Sequence, residues 1–314
     1  MQRAGQRGLS WNGAAGKGEI NRVNAVIQTV LIGIAVGALY GLVALGFGLI
    51  MGVMKFVNIA HGSFIIIGGY VAYWLFTLLG IDPYLSIPAV MLVMFAMGLI
   101  LYRLLFSPLL KYPRAEMRLD KSLLITFGVM WILDNAVTLL WTPDTRSIVT
   151  SYTGSTIDIL GAKLGFTGLA GLILAVLVAV LLHVLLTRTY FGKHVRAATE
   201  DSGAASLSGV NVQGTYLISC GIAAALAGVA GVVIVSSYSI APSGGLDWLL
   251  TAMVVIVLAG EGNIVLILPA GLILGLVQSI STLFVSPAYQ QPIALIVFIL
   301  ALMFRPKGIF ARRG

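Results

Sequence analysis

The sequence predicts an all-α polytopic membrane protein, a helix bundle of about 8–10 transmembrane helices, some short or broken, with both termini cytoplasmic. Three observations predict it. Of 314 residues, 59% are hydrophobic and only 10% charged, where a soluble domain carries roughly a quarter charged residues. Mean hydropathy is +1.02, and several apolar runs approach or exceed the ~20 residues a spanning helix needs. Finally, Lys and Arg gather in the segments flanking those runs. If 1–24, 52–63, 103–121, 188–213, 260–263 and 305–314 share one side, 17 of the 19 Lys and Arg lie there, with only Arg146 and Lys163 opposite. That bias marks the cytoplasmic side and demands an even number of spans. The net charge of +8 therefore reads as a topology signal, not as a nucleic-acid footprint. The lone Cys220, inside an apolar run, rules out an intramolecular disulfide framework.

Residues 1–24 are polar and Gly-rich, with Arg3, Arg7, Lys17 and Arg22 against Glu19, and read as a disordered cytoplasmic tail. The basic region is too long for a cleaved signal peptide, and no small-x-small site closes a short apolar core. Residues 25–304 form the membrane domain. Ala25–Met54 is too long for one untilted span, so two short spans meeting near Tyr40–Gly41 are expected. Within it Gly33, Gly37 and Gly41 form a GxxxGxxxG face that lets a neighbouring helix approach closely. Lys55–Ser63 is a polar break, Phe64–Gly80 a span and Ile81–Ser86 a tight loop. Ile87–Phe106 spans again before the basic loop Ser107–Lys121, and Ser122–Trp141 is the next span. Thr142–Leu164 is polar and turn-rich and accommodates either a hairpin or a surface helix. Gly165–Leu186 and Thr215–Ser237 are spans on either side of a long polar interruption. Ser239–Asp247 is a turn-rich loop with Pro242 and Gly244-Gly245. Short apolar stretches follow at Trp248–Gly260, Asn263–Leu283 and Pro292–Phe304, and 305–314 is a basic cytoplasmic tail. A faint internal echo pairs His61-Gly62-Ser63 with Glu261-Gly262-Asn263, each ahead of an apolar run, and broken segments in two halves are a transporter's way of building a central site.

The polar interruption, 188–213, organises the rest. Thr199 stands where a helix cap would, Glu200 and Asp201 suit the first turn, and Ala204, Ala205 and Leu207 continue it to a stop at Gly209. Lys193 and Arg196 mark it as cytoplasmic. A plain inter-span loop with a surface helix fits these residues equally well. The pattern Gly192, Arg196-Ala197, Glu200-Asp201, Ala204, Leu207-Ser208-Gly209-Val210-Asn211 resembles, however, the cytoplasmic loop of branched-chain amino acid ABC-transporter permeases. Gly41–Tyr70, with Asn58 and Ala60-His61-Gly62, is similar to that family's first conserved block. With the glycine-rich Ala259–Gly275 and Arg305-Pro306-Lys307-Gly308-Ile309, the resemblance covers the chain from about residue 25 onward. It implies an inner-membrane permease subunit of an ATP-driven importer for branched-chain or other hydrophobic amino acids. It also implies a second homologous permease or a second copy, two ATP-binding cassette subunits and a periplasmic substrate-binding protein. In that setting Arg196, Thr199, Glu200, Asp201, Ala204, Ala205, Leu207 and Gly209 would couple the permease to its ATPases.

Few residues inside the spans carry chemistry. Asp134 is the only carboxylate well inside a long span, where an acid costs at least ~2.5 kcal/mol. It marks either the substrate path, facing a substrate ammonium, or a helix–helix contact satisfied by Asn135 or a backbone group. The permease family usually has an amide near here, so the acid is a departure. Asn58, His61 and Gly62 hold either the substrate path or a turn bonded to its own backbone. His183 and His194 lack metal-ligand spacing to another His or Cys, and Tyr73, Trp74, Trp131, Trp141 and Trp248 read as interface anchors. No phosphate-cradling GxxxxGK[ST] occurs, nor HExxH or GxSxG. No cofactor is expected on this chain, and ATP would be used by partner subunits. Two other readings remain: a urea or short-amide importer of the same family, and a stand-alone channel or ion-coupled transporter using Asp134 as its ion site. An intramembrane enzyme would need clustered catalytic residues, which are not found.

Overall fold

A computed structural model describes residues 7–305 and 308, apart from 111, 113, 114, 160, 161 and 261. Among these residues nine helices are long and apolar enough to cross a membrane. The first, α1 (Arg7–Met54), is unbroken, and its apolar part, Asn24–Met54, is a single candidate span of 31 residues. Two short spans were expected there. The glycines that read as a break are instead the floor of a helix contact. Gly37 lies against the backbone of Gly271 and Leu272, Gly41 against Leu268, and Gly33 against Leu276 and Ser279, all on α11 (Ile267–Ser281). Glycine costs a helix roughly 1 kcal/mol in propensity, and dense packing along this contact offsets it. Helical backbone also continues back to Arg7, through part of the stretch read as a disordered tail, because propagation adds one hydrogen bond per residue once a helix exists. Residues 1–6 and most of 305–314 lie outside the described residues.

Helix α1 runs from an upper end of the bundle, where its neighbours are Leu164, Gly165 and Tyr238, to a lower end, where Gly52 meets Gly262. Gly308 lies against Gly260 at that lower end.

The remaining elements form two sets of like order and opposite direction. In the first set α1 ends at Met54, α2 is His61–Leu79 and α3 begins at Ile87. In the second, α9 (Val212–Ser237) is followed by α10 (Gly245–Ala259) and α11. Gly98 of α3 packs on Cys220, Gly221 and Ala224 of α9, as Gly271 and Gly275 of α11 pack on α1. Both α1 and α9 therefore carry a small-residue helix against them, and α9 lies buried between α1, α2 and α3. The counterpart of Gly62 in this arrangement is Gly245, not Gly262, which corrects the echo read from sequence. Helix α3 (Ile87–Leu101) continues through a π turn, Tyr102–Phe106, into α4 (Ser107–Leu109). Next comes α5 (Ala115–Trp141), so Arg118 and Lys121 are helical and not in a loop. Beyond the second set, α12 (Gln290–Phe304) closes the chain.

The 142–165 segment resolves into an antiparallel hairpin, β1 (Thr156–Ile159) with β2 (Ala162–Gly165), Thr156 opposite Gly165. It caps the upper end. Arg146 pairs with Ile240 in an isolated bridge, and Tyr152 donates to Asp82 at 2.6 Å. Tyr84 donates to Thr167 O at 3.3 Å, and its ring lies 6.3 Å from that of Tyr152. Burial, and secondarily Asp82, push the Tyr84 phenol up to about 12. Burial and the bond to Asp82 raise Tyr152 likewise. Because the folded state holds these protons more tightly than an ordinary tyrosine, their stabilisation is complete below about pH 10. It is lost as pH climbs through about 12. Proteolytic protection of the hairpin should therefore fall over that interval, and Tyr152→Phe should blunt the transition.

Candidate functional site

Two places gather the residues singled out from sequence. The first lies inside the bundle. After Met54 the chain turns back through Lys55–Ala60, with Lys55 in the left-handed region at φ 56, a conformation costly for a side-chain-bearing residue. Thr126 of α5 pins this turn, receiving the Ile59 N–H at 3.0 Å while its own hydroxyl proton goes to Ser122 O at 2.6 Å. Helix α2 then starts at His61, beside Gly46 of α1, which also touches Ala223 near the middle of α9. Helix α10 starts at Gly245 after the turn Pro242–Gly244. The two starts abut: a Cβ on Gly62 would sit 2.0 Å from Gly245 O. Two helix N-termini, each with positive dipole character, therefore meet in the interior, and no side-chain hydrogen bond caps either one.

Asp134 of α5 is partly buried and accepts a bond from Ser63 Oγ at 2.6 Å. Its partner is thus the second residue after His61, not Asn135. Asn135 is exposed and donates to Trp131 O within its own helix at 2.8 Å, so it does not join the cluster. His61 is fully buried; Nε2 pairs with Val43 O at 3.2 Å, and the ring lies 5.6 Å from Phe47. Asn58 is fully buried, and neither its Nδ2 nor its Oδ1 has a partner among the described residues; the same holds for His61 Nδ1. Thr126 was not singled out from sequence, and Ser63 and Gly245 were named only within the echo and the turn-rich loop. Gly244-Gly245 after Pro242 was a usable signal for a second helix start, whereas a hydroxyl in an apolar span usually bonds its own helix, so Thr126 gave none.

The second place is at the lower end. Where one helix from Thr199 was expected, there are two, α7 (Tyr190–Glu200) and α8 (Ser202–Leu207). The cap is Asp201, which accepts from Gly203 N and Ala204 N at 2.8 and 3.0 Å. Thr199 instead bonds Val195 O inside α7, because Asp201 is the residue with extended backbone that an N-cap needs. Arg196 donates to Leu186 O and braces α7 against the end of α6 (Phe166–Arg188). Glu200 and Ala204 are exposed, Ala205 is buried, and Leu207 is 93% exposed. Gly209, at φ 85, ends the helix, with Val210 N bonded to Ala205 O. A cavity of about 240 Å³ lined by Lys55, Arg118, Thr199, Glu200, Asp201 and Tyr216 connects this tip to the pinned turn of the first place.

The family model described as "Branched-chain amino acid transport system / permease component" matches residues 29–302. The chain is 29% identical over 300 residues to the high-affinity branched-chain amino acid transport system permease protein BraD of Pseudomonas aeruginosa, covering 91% of this chain and 96% of that protein. It is 29% identical over 301 residues to LivH of Salmonella typhimurium, with the same coverage. A probable branched-chain amino acid transport permease protein, LivH of Methanocaldococcus jannaschii, is 31% identical over 278 residues, covering 85% of this chain and 87% of that one. No solved structure matches.

Proposed function

The chain belongs to the branched-chain amino acid transport permease family, and from that premise we propose that it is the inner-membrane permease subunit of an ATP-driven importer of branched-chain or other hydrophobic amino acids. A periplasmic binding protein delivers the substrate, a second homologous permease or a second copy completes the path, and two ATP-binding subunits dock at the lower end. The lower end is cytoplasmic in this reading, since Lys55, Arg118, Arg188, Lys193, Arg196 and Arg305 lie in its helix ends and turns. ATP hydrolysis belongs to the partners, because no phosphate-cradling loop is present in this sequence.

The observation that carries the reading is Asp134, a carboxylate on a span whose surface is largely uncovered in the isolated chain. An ionised acid facing lipid at that depth would cost several kcal/mol. Facing a second permease across a wet path it costs far less, and it meets the ammonium of an amino acid. Alternating access then follows when the ATPases move the α7–α8 tip and, through Lys55 and the Thr126-pinned turn, the start of α2.

Asp134→Asn keeps the shape and removes the charge. Uptake of leucine by the reconstituted complex should fall about ten-fold or more, equivalent to ~1.4 kcal/mol, while the ATPase subunits still co-purify. Unchanged uptake would remove Asp134 from the path, and lost assembly would make it a packing residue. Measuring urea and short amides alongside leucine separates the amide-importer alternative. Uptake that persists without ATP would favour a stand-alone ion-coupled carrier.

A further inference from the structure

Buried polar atoms without partners are rare, and each calls for a cause. At the α2–α10 junction there are several at once. Asn58 stands at the head of α2, its carbonyl accepting the His61 N–H, where a side chain would ordinarily cap the helix. Its amide instead bonds nothing among the described residues, and the residue is fully buried. His61, also fully buried, presents Nδ1 as an acceptor when its Nε2–H donates to Val43. Backbone bonds outside the helix serve the N–H groups of His61 and Phe64, but among the described residues none serves those of Gly62 and Ser63 between them. Asp134 joins the same spot through Ser63. The unmet set holds donors and acceptors together. A bare cation would want acceptors alone and an apolar solute neither, whereas the head of an amino acid carries both charges on one carbon.

We infer that the junction where α2 and α10 begin is a subsite for the zwitterionic head of the transported amino acid. The α-carboxylate takes the start of α2, through Asn58 Nδ2 and the N–H groups of Gly62 and Ser63, and the α-ammonium takes Asp134. Helix starts inside a membrane protein suit such an anion because their N–H groups and dipole both point at it. Gly62 lacks a side chain because Gly245 of α10 packs against that position, which holds the two helix starts together. Asp247, exposed in the first turn of α10, already answers part of that helix's dipole, so α2 holds the carboxylate. This subsite rests on the importer reading above and adds to it which groups meet which charge.

The test uses the full complex in proteoliposomes, with Cys220→Ala and a single reporter cysteine, Ser63→Cys. Leucine should slow alkylation of that cysteine about ten-fold. Leucinamide, which keeps ammonium and side chain but lacks the carboxylate, should leave the rate near that without ligand. Equal protection by both, or none by leucine in a complex that transports it, overturns the subsite. A wild-type complex that takes up no leucine overturns the functional reading instead. Asn58→Asp supplies the second arm, since a fixed negative charge beside the carboxylate should lower leucine uptake about ten-fold or more in complexes that retain their ATPases. Wild-type uptake by that variant also overturns the subsite, and should it not assemble, the reporter cysteine decides.

Discussion

Gly37→Leu is expected to cut accumulation of the folded permease several-fold. A Cβ at position 37 alone would lie 2.7 Å from both Gly271 O and Leu272 Cα. These are backbone atoms, so no rotamer change relieves the clash. From the other side, a Cβ on Gly275 would lie 2.3 Å from Gly37 Cα and one on Gly271 2.4 Å from Gly41 N. The two helices approach backbone to backbone along about two and a half turns, and inserting a leucine pushes them apart along all of it. Overpacking a core costs about 1–3 kcal/mol when side chains give way; where the backbone must separate, the upper end of that range or more applies. Against a total stability of about 5–15 kcal/mol, a loss of that size should lower the thermal-aggregation temperature and cut the yield of monodisperse protein in detergent several-fold, measured by size exclusion and by heating. Gly128→Leu is the control, since nothing lies within 4 Å of a Cβ at that position, and it should purify as wild type. Normal behaviour of Gly37→Leu would mean that α11 does not sit where it is placed.

That contact also shows what a sequence of this kind discloses. Apolar runs, the polar break at Lys55–Ser63 and the small-residue face at Gly33, Gly37 and Gly41 were legible because length and spacing are local properties. Whether the glycines ended a helix or lined one was not, because the compensating partner, α11, is more than two hundred residues away along the chain. The same holds at the candidate site. Asp134 was legible as an anomaly from its position in a span, but its bond to Ser63 depends on how α5 leans on α2, and spacing along one helix pointed wrongly to Asn135. Gly62 was visible as a motif residue, whereas its contact with Gly245 needed the two opposed sets of helices. In the 188–213 stretch, Thr199 and Asp201 are both good caps, and choosing between them depends on where α7 has already satisfied its own last carbonyls. Here Ala197 O receives the Asp201 N–H, so the break falls after Glu200.

The largest functional effect is expected at Leu207. On the importer reading proposed above, work reaches the permease only through a protein contact, and the α7–α8 tip is the built element available at the lower end. Helix α7 is committed to the body of the protein through Gly192, Val195 and Ala198, all buried, and through the Arg196 brace. Helix α8 differs. Asp201 and Gly209 turn the chain sharply at its two ends, Ala205 anchors it inward, and Leu207 is left 93% exposed between Ser206 and Ser208. Covering a leucine side chain of that exposure contributes about 1.5–3 kcal/mol, so its loss should weaken docking by about ten- to a hundred-fold. Leu207→Asp removes no contact within the chain and should leave the fold and its melting unchanged. Co-purification of the ATPase subunits should fail, and substrate-stimulated ATP hydrolysis with it. Ala204→Trp, on the exposed side of the same helix, should act alike by filling the space that a groove on the partner needs. Ala205→Trp is not a clean probe, because its buried position makes misfolding of α8 the first consequence. Wild-type co-purification and stimulated hydrolysis with both Leu207→Asp and Ala204→Trp would sink the assignment and move the coupling contact to another lower-end segment, the first candidate being the start of α5 around Arg118.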